Sequence, residues 1–424
     1  MKQYDLIVAG GGLTGVAAAV SAAREGLSVL LIEKNGCLGG AISNNLVYPF
    51  MFYWLSSSEA KQRQYLNAGI FLEIREREHI YCQSCNESEE SLESLFKPEY
   101  YKFILDDMVT EAGVDVLFHA TLFKTQTKDR KVQSVQVVTP SGEISLSADF
   151  FIDATGNGDL MAQAGCDYQL GRESDGLCQP MTTCFRMSGV NIEQFKKEHK
   201  QLNELYQQQQ KEGKIKNPRE NILVFYGIGK DIIHFNTTRI IKLNPTDAFD
   251  VSQAEIEARR QVYEMVHFLK ENSTAFEHST IINIANEIGI RESRKLKGVH
   301  ILNQDELKNM VDFEDSIAVG NYEIDIHNPA GGGTTHYYFK EGEYYQIPYR
   351  CLLPKEFDNM LVAGRCLSAT HEAQASVRIM PICTSMGQAA GTAVAVAHQS
   401  GSTVHNVNIK TVQERLTKNG AVLS

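Results

Sequence analysis

Gly10, Gly12 and Gly15 stand at the G-x-G-x-x-G spacing, and Glu33 follows 18 positions after the last of them. Glycines so spaced suit the cradling of a dinucleotide pyrophosphate. The first permits a tight turn, the second lets backbone approach the phosphates, and the third lets a helix pack close to a strand. An acid placed like Glu33 hydrogen-bonds ribose hydroxyls. A second set of residues could move protons or hold anions: His371 beside Glu372, then Arg378, and the charge-dense run Arg291, Glu292 and Arg294. Histidine titrates near neutrality, and paired guanidiniums suit bidentate binding of a carboxylate. Each has a plainer alternative. His371 and Glu372 could brace a loop, Arg378 could sit in a structural ion pair, and the 291–294 run could tie two parts of the fold together. Cys82-Gln83-Ser84-Cys85 has the C-x-x-C spacing of a redox dithiol or half a metal site, but no second pair accompanies it and no metal is expected.

The elements needed to position the glycines are present. Leu6 to Ala9 is an apolar strand of the kind a parallel sheet buries on both faces. Thr14 to Arg24 reads as an alanine-rich helix with its N-terminal amides aimed at the phosphates, and Ser28 to Ile32 as the second strand, ending at Glu33. The fingerprint does not recur, since Gly227-Ile228-Gly229 lacks both the third glycine and a downstream acid. One dinucleotide site is expected, without a second domain for a nicotinamide.

Further along, residues 99–112 read as a helix, 114–118 as a strand, and 134–138 with 143–146 as a hairpin around Pro140-Ser141-Gly142. Asp149 to Asp153 is another apolar strand, running into Ala154-Thr155-Gly156. Met360 to Ala363 is a strand entering Gly364-Arg365, and a small-residue helix spans about 385–398. Between 170 and 350 the character changes. Strands are expected over 182–187 and 232–241, and the polar, glutamine-rich stretch 191–220 as an exposed lid helix or loop. An amphipathic helix over 254–269 would turn Ile256, Val262, Val266 and Leu269 inward. Gly331-Gly332-Gly333-Thr334-Thr335-His336 reads as an exposed turn, with closure over a substrate as the alternative.

With 424 residues, 43% of them hydrophobic, the chain can build two or three lobes. A net charge of −11 disfavours a nucleic-acid surface. Nine scattered cysteines do not resemble a secreted disulfide framework, and no run of about 18 apolar residues suggests a membrane span. A cytoplasmic location is expected.

After Glu33, the run Lys34-Asn35-Gly36-Cys37-Leu38-Gly39-Gly40 resembles the glutathione-reductase-like flavoproteins, in which such a segment lies along the ribityl chain. The block 359–397, NMLVAGRCLSATHEAQASVRIMPICTSMGQAAGTAVAVA, closely resembles the FAD-dependent oxidoreductase family, as do ATGNGD at 154–159, GRESDGLCQP at 171–180 and IRESRKLKG at 290–298. That resemblance implies FAD rather than NAD, held non-covalently. It implies that Gly10, Gly12, Leu13, Thr14 and Gly15 hold the pyrophosphate, Glu33 the adenosine ribose, and Lys34, Leu38, Gly39 and Gly40 the adenosine and ribityl portions. Leu122 would offer backbone to adenine, Ala154, Thr155 and Gly156 would pass the pyrophosphate, and Gly364 with Arg365 would meet the ribityl phosphate. Pro381, Met386 and Gly387 would belong to a helix whose positive end faces the flavin.

The expected architecture is α/β. A Rossmann-like FAD-binding domain with a parallel sheet, residues 1–168 and 347–424, is interrupted by an α+β substrate or cap domain, residues 169–346. The expected activity is hydride transfer between flavin N5 and a small polar organic substrate, an anionic one if the arginines bind it, with His371, Arg378, Arg291 and Arg294 supplying protons and charge. A thiol–disulfide reductase using Cys82 and Cys85, and a non-catalytic flavin electron-transfer partner, are the alternatives. No nucleic-acid or membrane partner is expected, and the sequence sets no oligomeric state.

Overall fold

A computed structural model of the chain describes residues 3–55, 63–87 and 94–424. Its central sheet forms because four short apolar runs are buried on both faces, with a fifth, half-buried strand, Asp115–Leu117, at the edge. Asp115–Leu117, Val29–Ile32, Tyr4–Ala9, the second half of Gly142–Asp153 and Met360–Val362 lie side by side, all parallel. The last strand reaches this sheet from a point more than 200 residues beyond its neighbour. The first half of Gly142–Asp153 pairs antiparallel with Lys131–Thr139, which pairs with Thr121–Lys128. One long strand thus belongs to the parallel sheet at its buried end and to a half-exposed ribbon at its other end.

Two helices cross against this sheet at unusually short range. Leu13–Arg24 follows the glycine turn, and Met380–Ser400 lies across it. A Cβ on Gly387 or Gly391 would stand 2.1 Å from the carbonyl oxygen of Thr14 or Ala18, so only glycine fits at either position. The late helix begins five residues before the expected Ser385, because proline is well placed in a first helical turn and Pro381 occupies one. Among the described residues no single helix is long and apolar enough to cross a membrane. The bent pair His371–Val377 and Met380–Ser400 is apolar because it fills the core.

The intervening segment builds its own antiparallel sheet, in the order Thr280–Ile284, Phe185–Ser188, Ile232–Phe235, Val224–Gly229. Helices Ile192–Lys211 and Ala248–Asn272 cover one face. The glutamine-rich stretch is therefore no mere lid: Phe195, Leu202 and Tyr206 fall on one side of its helix and pack into this second core. The inner stripe of the other helix also differs from expectation. Ala254, Ala258, Val262, Met265 and Leu269 point inward, while Ile256 is 50% exposed on the far side. A small hairpin, Ile324–His327 with Thr334–Tyr337, returns the chain towards the parallel sheet.

Candidate functional site

A cavity of about 780 Å³ runs between the carboxyl end of the parallel sheet and the open face of the cap sheet. Its first end is built by the glycine turn. Gly10 takes φ +101°, and Gly15 sits so close beneath it that a Cβ would be 1.8 Å from the Gly10 carbonyl oxygen. Gly15 thus acts through packing, without lining the cavity. Gly12 caps the first helix with no side-chain partner, and a Cβ there would meet nothing within 4 Å. The helix N-terminus therefore opens directly onto the cavity, beside Gly10, Leu13 and Thr14. Glu33, in the wall, accepts from the backbone N–H groups of Gly11 at 2.7 Å and Asn35 at 2.8 Å. Burial raises its pKa against these hydrogen bonds, and each oxygen keeps a lone pair for a ligand hydroxyl.

Lys34, Gly39 and Gly40 line the same end. Lys34 Nζ is 2.8 Å from Glu287 of the cap, an ion pair that ties the two sides of the cavity together. Ala154, Thr155 and Gly156 line the opposite wall. Their turn is held by buried Asp153, which accepts from Thr155 N–H and Oγ1–H and from Met161 N–H, and burial pushes its pKa up to about 6. Arg365 also lines the cavity, but its guanidinium donates to the carbonyls of Gly156 and Ile290 and to Asn157 Oδ1, clamping the turn to the cap. Ile379, Met380 and Cys383 bring the N-terminus of the late helix to the wall.

Six other expected cofactor residues support this wall from behind or stand away from it. Leu38 and Met386 are fully buried core residues, Pro381 lies in the helix turn behind Met380, and Gly387 makes the close helix crossing. Gly364, at φ +85°, lets its loop lie against Thr14 Oγ1. Leu122 is on the antiparallel ribbon, where its carbonyl accepts from Gln163 Nε2 at 3.3 Å, outside the cavity wall.

The second end of the cavity is cationic. Arg219, Arg291 and Arg378 all line it. The Arg219 guanidinium donates to Asn221 Oδ1, and that of Arg291 to the Pro180 carbonyl, the Thr182 hydroxyl and Asn236 Oδ1. None of these acceptors carries a charge. Burial, with Arg378 and Arg219 close by, lowers the Arg291 pKa to about 9. Arg378 faces Asp325 at 3.4 Å. Asp325 also accepts from Tyr322 OH at 3.2 Å and pairs with His327 Nε2 at 3.1 Å. Arg239 can only donate, so its contact fixes His327 Nδ1 as an acceptor and leaves Nε2–H for Asp325. Burial and the nearby Arg291 hold His327 neutral, its pKa down at about 3. His336, opposite Asp325 in the hairpin, lines the cavity with Nδ1 3.1 Å from Glu323.

Of the four residues expected to supply protons and charge, the structure brings Arg291 and Arg378 to the cavity wall and leaves Arg294 and His371 off it. Arg294 turns away from the cavity, where Nη1 pairs with Asp159 at 2.9 Å and the guanidinium sits over the Tyr168 ring. His371 begins a short helix behind the wall, its Nδ1 2.7 Å from Glu292, which also pairs with Lys295 at 2.5 Å. That buried triad ties the start of this helix to the cap strand Arg294–Leu296. The expected exposed turn begins at Gly331–Gly333, exposed at Gly332 and Gly333, and leads into the strand Thr334–Tyr337; Gly333, Thr334 and His336 also line the cavity. Arg219 was missed because it lies in a polar stretch with no motif around it. Cys82 and Cys85 form no disulfide, and neither lines the cavity.

The residues present fit an adenine dinucleotide. The uncapped helix N-terminus and open Gly12 suit a pyrophosphate, and Glu33 suits a ribose. The model of the FAD dependent oxidoreductase family matches residues 5–416. The chain belongs to that family. Its members are FAD-dependent enzymes, so FAD is the dinucleotide this site takes. Among similar proteins, Protein FixC of Bradyrhizobium diazoefficiens is 29% identical over 174 residues, 39% of each chain. Dihydrolipoyl dehydrogenase of Trypanosoma brucei brucei is 28% identical over 129 residues, 27% of each. The matches thus span well under half of those proteins. A geranylgeranyl bacteriochlorophyll reductase-like protein from Thermoplasma acidophilum aligns with a TM-score of 0.46 at 14% identity, over 100% of this chain and 85% of that one.

Proposed function

We propose that this FAD-dependent oxidoreductase acts on a small organic anion, most simply a carboxylate, held by Arg219, Arg291 and Arg378. The observation that carries the reading is the placement of a buried guanidinium, Arg219, and a half-buried one, Arg291, in the cavity wall with only neutral hydrogen-bond partners. Buried cations normally have a counter-charge, and an anionic substrate supplies it. When bound, FAD supplies a two-electron centre that exchanges hydride with the substrate at N5. The glycine turn and Glu33 hold its adenosine and diphosphate. The N-terminus of Met380–Ser400 reaches the cavity wall, and its positive end would favour negative charge on a flavin bound beside it. His336, in the cavity wall, is the group through which the accompanying proton enters or leaves: with Nδ1–H donating to Glu323, Nε2 is left as the proton acceptor.

The test is a spectroscopic one on purified protein. It should carry the two absorption bands of oxidised flavin and release FAD on denaturation. Anaerobic addition of small carboxylates bearing a hydroxyl or amino group should bleach those bands for at least one of them. If neutral analogues bleach the flavin equally well, the anionic assignment is wrong.

A further inference from the structure

The cap sheet carries a cation that the cavity does not use. In the strand register Arg186 stands opposite His234 on one neighbour and opposite Asn283 on the other, so these side chains share a face. The other face, bearing Phe185, Met187, Ile233 and Phe235, packs into the core of the two cap helices. The Arg186 face turns towards Tyr48 of the nucleotide-binding lobe, whose ring lies 5.4 Å from that of His234. Arg186 is 4% exposed and His234 is fully buried. Among the described residues, Nε and Nη2 of Arg186 and both ring nitrogens of His234 have no hydrogen-bond partner.

Such a pair calls for a ligand. A guanidinium keeps its proton, so its charge remains when it is buried, and unpaired buried donors are rare in native folds. The acid that acts on Arg186 electrostatically, Glu99, is 64% exposed and pairs with Lys102 at 2.7 Å. Cys184, two residues along the same strand, feels the positive fields of Arg291, Arg186 and Arg219 together. Burial and Arg186 keep the imidazole of His234 neutral, so it can turn one N–H to a ligand without adding charge. Water would satisfy the donors and leave the charge uncompensated, whereas an anion does both. Neither side chain lines the large cavity and both are buried, so only a small ligand would fit between them.

We propose that Arg186 and His234 form a buried site for a small monovalent anion of halide size, which neutralises the cap sheet where it meets the nucleotide-binding lobe. This stands independently of the substrate assignment. The test compares the melting temperature of the FAD-loaded protein in chloride, bromide and gluconate at equal ionic strength. It is paired with anomalous scattering from bromide-soaked crystals. The expected result is a saturable rise of a few degrees in either halide but not in gluconate, its loss in R186M, and a bromide peak in contact with both side chains. Identical melting in chloride and gluconate, or no bromide at Arg186, overturns the proposal. So does a bromide peak unaccompanied by any effect in solution. Should R186M fail to fold, the wild-type titration and crystals still decide.

Discussion

Removing one guanidinium from the cationic end of the cavity should weaken anion binding without emptying the flavin site. A hydrogen bond to a charged group contributes about 1.5–3 kcal/mol, so Arg291→Gln or Arg219→Gln should raise KM about 10- to 100-fold. Flavin content, read from the absorbance ratio, should stay unchanged. The two histidines separate just as cleanly. His336→Asn should lower kcat by about 10²–10⁴ and flatten the pH–rate profile, since it removes the proton acceptor. His371→Asn should instead leave the pH profile in place and cost about 1–3 kcal/mol of stability in denaturant unfolding, because it takes a hydrogen-bond partner from buried Glu292. At this scale the sequence was a good guide wherever function depends on the local backbone. Gly10, Gly12 and Glu33 lie within one strand–turn–helix–strand unit, so their spacing nearly determines their geometry. It was a poor guide to side-chain direction. Arg291 and Arg294 are three residues apart, yet one faces the cavity and the other grips Asp159, a difference set by the strand Arg294–Leu296 and its pairing with Tyr168–Leu170.

Among the elements, the crossing of Leu13–Arg24 with Met380–Ser400 most directly joins packing to cofactor binding. Gly391→Ala would drive a methyl group into the Ala18 carbonyl, and backbone cannot yield as a flexible side chain does. The cost should be about 1–3 kcal/mol. Because the displaced helix presents its N-terminus to the pyrophosphate site, the variant should also purify with less FAD, measured as flavin released per chain. The family resemblance placed Gly387 among the cofactor contacts, and the structure shows it at this crossing, one layer behind. The hairpin Ile324–His327 with Thr334–Tyr337 was the element least legible beforehand. Its triple glycine reads as a turn, and only the pairing of Asp325 with His336 across the two strands reveals a face that lines the cavity.

For the whole molecule, acid should act mainly through two histidines held neutral by burial. His234 and His327 are both pushed down to about 3, whereas an unfolded histidine titrates near 6.5. Between those values the unfolded chain binds more protons, so stability rises with pH and is lost as pH falls. Asp153 works in the opposite sense. Its folded pKa of about 6 lies above the ordinary value of 3.8, so the folded chain holds that proton and regains stability on acidification. Two contributions against one leave a net loss of about 2–3 kcal/mol at pH 5 relative to pH 7, to be read from denaturant midpoints. The two-lobed α/β plan was legible because parallel, doubly buried strands announce themselves as short apolar runs. The union of the nucleotide and cationic ends in one cavity was not, because it depends on how a segment of about 180 residues folds back over the sheet.

That union is the central claim, and flavin difference spectroscopy tests it directly. Oxidised protein would be titrated with an unreactive small carboxylate, in the wild type, Arg219→Gln and Arg291→Gln. A saturable perturbation of the flavin bands in the wild type, weakened in both variants, is the predicted result. An unchanged flavin spectrum, or perturbation equal in all three proteins, would contradict an anion site beside the flavin.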